Sequence, residues 1–195
     1  MGLFAAYLIG AVPVGFVVAR IFGIGDIRHH GSGNIGATNV LRAAGRLPAL
    51  LTLTGDVVKG ALATAAAGAL VSDAAGAAGA AVAAIVGNCW SVFLRFRGGK
   101  GVATGLGALL YLVPWATVPA ALVWLGVTLT SRYVSLGSIT AALCVPLGAL
   151  ALGYPRPSSG AAAAAAAIVI YRHRENIARL FAGTERRLGQ RREPA

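Results

Sequence analysis

Six long apolar runs, separated by short segments rich in glycine, small polar residues and arginine, leave this chain few folds to choose from. The runs cover residues 3–19, 47–71, 74–94, 102–130, 134–152 and 160–171. A spanning helix needs about 20 apolar residues, each adding about 1.5 Å across a hydrocarbon layer about 30 Å thick. Most of the runs reach that length. Backbone groups in lipid must be paired within their own segment, and this selects helices. Only 12% of the residues are charged and the mean hydropathy is +0.74, whereas soluble domains run near about 25% charged. The sequence predicts an all-α, polytopic membrane helix bundle. No polar linker divides it, so residues 1–195 form a single integral membrane domain. Alanine runs at 74–84 and 161–167 suit close helix contact in lipid.

Charge sets the expected topology. The net charge of +11 would suggest nucleic acid on a soluble protein. Here the basic residues flank apolar runs without interleaved aromatics. They read as orientation signals and contacts to anionic lipid or phosphate, with no nucleic-acid partner. The first charge, Arg20, follows the first apolar run instead of preceding it, an order that disfavours a cleaved export signal. Arg28, Arg42 and Arg46 fall in the first connecting segment, and Arg95, Arg97 and Lys100 in the third. Pro114 and Pro119 interrupt the 102–130 run, and proline breaks or kinks a helix. If that run crosses twice, Arg132 and the basic tail from Arg172 to Arg192 join the same side, leaving only Arg156 opposite. The charge rule therefore predicts seven membrane segments, two of them unusually short, with the N-terminus outside and the C-terminus in the cytoplasm.

Three polar blocks then share one face. The first, 31–42, has three glycines that let a ligand approach the backbone. Its Ser32, Asn34, Thr38 and Asn39 offer hydroxyls and amides, and Arg42 can grip a phosphate bidentately. The second, 95–105, places Gly98, Gly99, Lys100 and Gly101 ahead of a helix that carries Thr104. Successive glycine amides there can form an anion nest, with Lys100 adding a point charge. It is no Walker A loop, because Gly101 follows Lys100 where a hydroxyl residue is required. In the third, 173–185, His173 and Asn176 share one face if the last helix continues through them.

Asp56 and Lys59, three apart in an apolar run, either line a site or form an internal ion pair. Ser135 and Ser138 make a smaller polar patch at a helix start, open to a capping role. Cys89 and Cys144 lack metal-ligand spacing, and the six acidic residues form no ligand cluster, so neither metal nor cofactor is expected.

Together these blocks resemble the bacterial acyl-phosphate:glycerol-3-phosphate acyltransferase family, the PlsY type. The resemblance rests on the segments 32–42, 56–60, 98–104, 131–139 and 173–185, in the same order along nearly the whole chain. It implies a seven-helix protein of the bacterial plasma (inner) membrane with a cytoplasmic active site. The implied reaction moves a fatty acyl group from acyl phosphate to the 1-hydroxyl of glycerol 3-phosphate, giving lysophosphatidic acid and inorganic phosphate. Ser32, Arg42, Lys100, His173 and Asn176 would be catalytic. Asn34, Thr38, Asn39, Lys59, Gly98, Gly99, Gly101, Thr104, Ser138 and Arg179 would bind substrate. The chain departs from the family at Asn88, where a histidine is usual, and at Ser91, where a proline is usual.

An acyl phosphate is already activated, and no Gly-x-Ser-x-Gly elbow is present. Direct transfer without an acyl-enzyme is the expected route, with the leaving phosphate taking the hydroxyl proton. General-base catalysis by His173 is the rival within enzymes. A small transporter of a phosphorylated metabolite is the rival outside them. The oligomeric state stays open, a monomer being compatible with the sequence.

Overall fold

The computed structural model describes residues 1–70 and 74–190. The last residue of the second apolar run and the end of the basic tail, 191–192, lie outside the described residues. The helices run in the order α1 (Gly2–Ala11), α2 (Val14–Ile21), α3 (Ala37–Ala44), α4 (Arg46–Leu70), α5 (Ala74–Cys89), α6 (Val102–Leu112), α7 (Pro114–Ser131), α8 (Val134–Ala151), α9 (Arg156–Arg172) and α10 (Arg174–Phe181). Among the described residues, four helical stretches are long and apolar enough to cross a membrane: Gly2–Ile21, Arg46–Ala69, Ala74–Leu94 and Val134–Ala151.

Proline sets two of the breaks. The 102–130 run divides at Val113, with Pro114 opening α7 where its missing N–H costs nothing. Pro119 is tolerated inside α7, so α7 reaches 18 residues and only α6, at 11, is short of the two. The first apolar run, read as unbroken, is divided by Pro13 into α1 and α2. The Val12 carbonyl at that break accepts a hydrogen bond from Lys59 Nζ at 2.7 Å. The last helix does not continue through the 173–185 block. It ends at Arg172, and His173 is the junction to α10.

Neighbour pairs give the helix directions. Gly15 meets Thr52 and Gly55 meets Val14, so α2 and α4 run antiparallel. Leu3 meets Gly79 and Ala11 meets Gly87, so α1 and α5 run parallel. Trp124 meets Ser138 and Ala116 meets Gly148, which makes α7 and α8 antiparallel. The segments 22–45, 90–101, 132–133 and 173–190 consequently gather at one end.

Side-chain size is distributed inside out compared with a water-soluble core. The buried set is rich in alanine, including Ala80, Ala84, Ala108, Ala149 and Ala162. Leu50, Leu62, Leu122, Leu129, Leu147 and Leu150 are exposed. In lipid, leucine gains nothing by turning inward, and small residues let helix backbones meet. A Cβ on Gly10 would overlap the Ala84 carbonyl, and one on Gly107 would overlap that of Val57.

Candidate functional site

A cavity of about 550 Å³ opens where the three polar blocks meet. The 31–42 loop forms one wall. Asn39 organises it: its Oδ1 accepts from the Ser32 amide at 2.9 Å, and its Nδ2 donates to the carbonyls of Ile27, His30 and Asn34. Asn34 Oδ1 accepts from the Gly36 amide at 3.1 Å and helps start α3. The side chains of Asn34 and Asn39 are thus engaged in loop geometry. Ser32, Thr38 and Arg42 line the cavity, and their side chains make no hydrogen bond among the described residues.

The second wall is the 98–101 turn. Its anion nest differs from the sequence expectation. The Gly98 and Gly99 amides donate to the carbonyls of Cys89 and Asn88, closing the end of α5. Their own carbonyls accept from Arg172 at 3.2 and 3.0 Å, and Arg172 also lies over the Trp90 ring. The turn is clamped from both sides, and the free donors shift one residue on. Gly101, with φ of 78°, caps α6, and the amides of Gly101, Val102 and Ala103 have no partner among the described residues. A short helix start with three open amides favours an anion.

Lys100 projects from that turn to Asn176 Oδ1. Asn176 Nδ2 donates to Glu185 Oε1 at 2.6 Å, and Glu185 also accepts from Ser135 Oγ at 2.8 Å and Arg179 Nε at 2.7 Å. Burial pushes the Lys100 ammonium down to about 8, against the opposing pull of the Glu185 carboxylate. Burial alone would raise the Glu185 carboxyl, but its three hydrogen bonds outweigh that and hold it below the ordinary range. His173 is buried, which pushes its imidazole down to about 4 against the Val169 carbonyl. Its Nδ1 lies 2.7 Å from that carbonyl. A carbonyl only accepts, so Nδ1 carries the proton and Nε2 offers a lone pair.

Three expected binding residues stand off the cavity wall: Lys59, Gly98 and Thr104. Thr104 is fully buried, its backbone pressed on Gly60. Lys59 is 2.7 Å from Asp56 Oδ1 and donates to Val12 and to Asn88 Oδ1 at 2.9 Å. Of the two readings of the Asp56–Lys59 pair, Lys59 follows the internal one. Gly99, Gly101, Lys100, Ser138, His173, Asn176 and Arg179 line the cavity with the first block. The hub Glu185 and the clamp Arg172 are not singled out by the sequence pattern. The hint at Glu185 is its place as the last residue of the 173–185 block, one of few acids in a cationic tail.

Beyond the polar mouth the cavity turns apolar. Leu106 and Leu109 of α6, Ala120 and Ala121 of α7, Ala142 and Val145 of α8 line it. From Ser135 to Val145 the wall runs ten residues along α8, about 15 Å at the helical rise.

A cationic, amide-lined mouth over an apolar cleft, inside a helical membrane bundle, defines a membrane protein whose site is chemically suited to an anionic head and an apolar tail. The family model for glycerol-3-phosphate acyltransferase matches residues 1–183. The chain is 48% identical over 191 residues to a glycerol-3-phosphate acyltransferase of Thermus thermophilus, covering 98% of this chain and 96% of that one. It is 50% identical to glycerol-3-phosphate acyltransferase 2 of Moorella thermoacetica, with 98% of each covered. The crystal structure of PlsY (YgiH), an integral membrane glycerol 3-phosphate acyltransferase, in its glycerol 3-phosphate form superposes with a TM-score of 0.92. That match has 41% identity and covers 96% of this chain and 94% of the other. The lysophosphatidic acid form gives a TM-score of 0.89 at 40% identity, again over 96% and 94%. The chain belongs to the glycerol-3-phosphate acyltransferase family, and is a multi-pass membrane enzyme.

Proposed function

We propose that this enzyme transfers a fatty acyl group from acyl phosphate to the 1-hydroxyl of glycerol 3-phosphate, releasing inorganic phosphate. The observation that carries the reading is one cavity in which Arg42, Lys100, Asn176 and the α6 amides face an apolar cleft. Two phosphates crowd one mouth in this reaction, and the donors present are those that neutralise phosphate. The cleft between α6, α7, α8 and α9 takes the acyl chain. Ser32, Thr38, Ser138 and Arg179 line the same mouth and complete the grip.

Transfer is direct. The glycerol oxygen forms a bond to the acyl carbonyl carbon, the bond from that carbon to the phosphate oxygen breaks, and the hydroxyl proton leaves on the departing phosphate. Holding both substrates in register supplies most of the acceleration. A base works best with a pKa near the working pH. His173, pushed down to about 4, is too weakly basic for that task and serves as a hydrogen-bond acceptor in the site.

The bundle crosses the plasma membrane seven times, with α1 and α2 as one crossing and α4 to α9 as six. The basic end, with Arg28, Arg42, Arg46, Arg95, Arg97 and Lys100, faces the cytoplasm, and Arg156 lies opposite. The deciding experiment incubates purified protein in detergent with palmitoyl phosphate and glycerol 3-phosphate. Glycerol 3-phosphate-dependent phosphate release with formation of palmitoyl lysophosphatidic acid is expected. Release that ignores glycerol 3-phosphate would overturn the reading.

A further inference from the structure

The cavity wall holds two carboxylates, and they differ in one respect. Glu185 is saturated by three donors. Asp56 is not. Its side chain is 8% exposed, and Oδ1 faces Lys59 Nζ across 2.7 Å. Among the described residues Oδ1 is buried without a hydrogen-bond partner, and no donor reaches Oδ2. Lys59 Nζ donates to Val12 and Asn88, and it stands in ion-pair contact with Oδ1 without a hydrogen bond of good geometry, so the carboxylate keeps acceptor capacity for a donor from the cavity. A buried acceptor left without a donor is costly unless a ligand supplies one.

Its place is informative. The Lys59 ammonium links Asp56 to Asn88, and the Asn88 carbonyl accepts from the Gly99 amide at 2.8 Å. Asp56 therefore sits beside the turn that carries Lys100. Arg42, Lys100 and the α6 amides are donors, and phosphates bring only acceptors. Glycerol hydroxyls are the one part of the substrate pair that must donate.

We propose that the Asp56 carboxylate accepts a hydrogen bond from the secondary hydroxyl of glycerol 3-phosphate and so makes the enzyme selective for a 1,2-diol acceptor. The primary hydroxyl must give its proton to the leaving phosphate, so a strong competing acceptor there would hinder transfer. The secondary hydroxyl has no such duty, and pinning it turns the primary hydroxyl toward the acyl carbonyl. This assignment rests on the acyltransferase reading above.

The test compares glycerol 3-phosphate with 3-hydroxypropyl phosphate, which keeps the primary hydroxyl and the phosphate but lacks the secondary hydroxyl. Palmitoyl phosphate is the donor throughout. The wild-type enzyme is expected to favour glycerol 3-phosphate by roughly 10- to 100-fold in kcat/KM, as for a lost bond to a charged group. Asp56→Asn should cut that preference several-fold, chiefly by lowering kcat/KM for glycerol 3-phosphate. The paired change Asp56→Leu with Lys59→Met removes both buried charges together, which folds tolerate better than removing one. It should abolish the preference, with the fold checked by thermal unfolding in detergent. A wild-type enzyme indifferent to the missing hydroxyl overturns the proposal. So do variants in which both acceptors slow in parallel with the preference intact. Absence of transfer to either acceptor in wild type overturns the acyltransferase reading, and this assignment with it.

Discussion

Glu185→Gln tests the carboxylate on which three donors of the site converge. The substitution keeps shape and one acceptor oxygen but turns the other into a donor. Three donors, from Ser135, Asn176 and Arg179, converge on the carboxylate, so at least one must face an NH₂ group. If Asn176 flips to compensate, its own NH₂ turns toward Lys100 and the lysine loses its acceptor. Either way one hydrogen bond to a charged group goes, worth about 1.5–3 kcal/mol. The Arg179–Glu185 ion pair adds little, since the arginine side chain is 38% exposed. At about 1.4 kcal/mol per tenfold, kcat/KM should fall roughly 10- to 150-fold. The pH profile should also move. The carboxylate props up the Lys100 ammonium, which burial holds near 8. Removing that negative charge favours the neutral amine, so the high-pH loss of kcat/KM should begin at lower pH than in wild type. Phosphate release from palmitoyl phosphate, followed on both sides of pH 8, reads both quantities. A variant within about twofold of wild type and with an unmoved high-pH limb would refute the relay from Glu185 through Asn176 to Lys100.

Other expectations follow from the same geometry. Lys100→Ala should nearly abolish turnover while the thermal unfolding of the detergent-solubilised protein changes little, because Lys100 contacts the cavity and Asn176 but no core packing. In wild type, kcat/KM for glycerol 3-phosphate should decline as pH rises past about 8, where the free Lys100 loses its proton. His173→Asn should cost far less than Lys100→Ala in kcat, and a loss of several orders with unchanged substrate affinity would restore the general-base mechanism. Gly98→Ala should destabilise by about 1–3 kcal/mol, since its Cβ would strike the Asn88 carbonyl, a backbone atom unable to swing aside. Gly126→Ala, with open space around its Cβ position, is the control expected to leave the melting temperature unchanged or higher.

Much of the architecture can be read from residue order. Period-free apolar runs tell of helices in lipid, and the arginines tell which connecting segments belong at one end. Pro114 marks its break because the run holding it is too long for one crossing and a second proline follows close behind. Pro13 breaks the first run by the same chemistry, but a run of single-crossing length gives no reason to expect two helices there. Site membership is legible for Lys100, Arg42, Ser138, His173, Asn176 and Arg179, whose blocks do line one cavity. Direction of hydrogen bonding is not. The Gly98 and Gly99 amides look free on the sequence, yet the end of α5 consumes them, a tertiary contact that local spacing cannot foretell. Lys59 looks like a phosphate ligand for the same reason, and its three partners lie on its own helix α4, at the Val12 break and on α5.

The inside-out arrangement of side-chain size changes how harm should be ranked across this molecule. In a water-soluble globule the severe lesion is a big residue cut down within the interior, and growth at the rim is harmless. Here the vulnerable seams are held by methyl groups and bare α-carbons, as at Ala84 against Gly10. One added isobutyl group would wedge two helices apart, whereas trimming Leu122 or Leu147 merely hands a little space to an acyl tail. Variants found in the wild should obey that reversed scale: enlargement at the seams rare, and shuffling among bulky aliphatics on the perimeter nearly free.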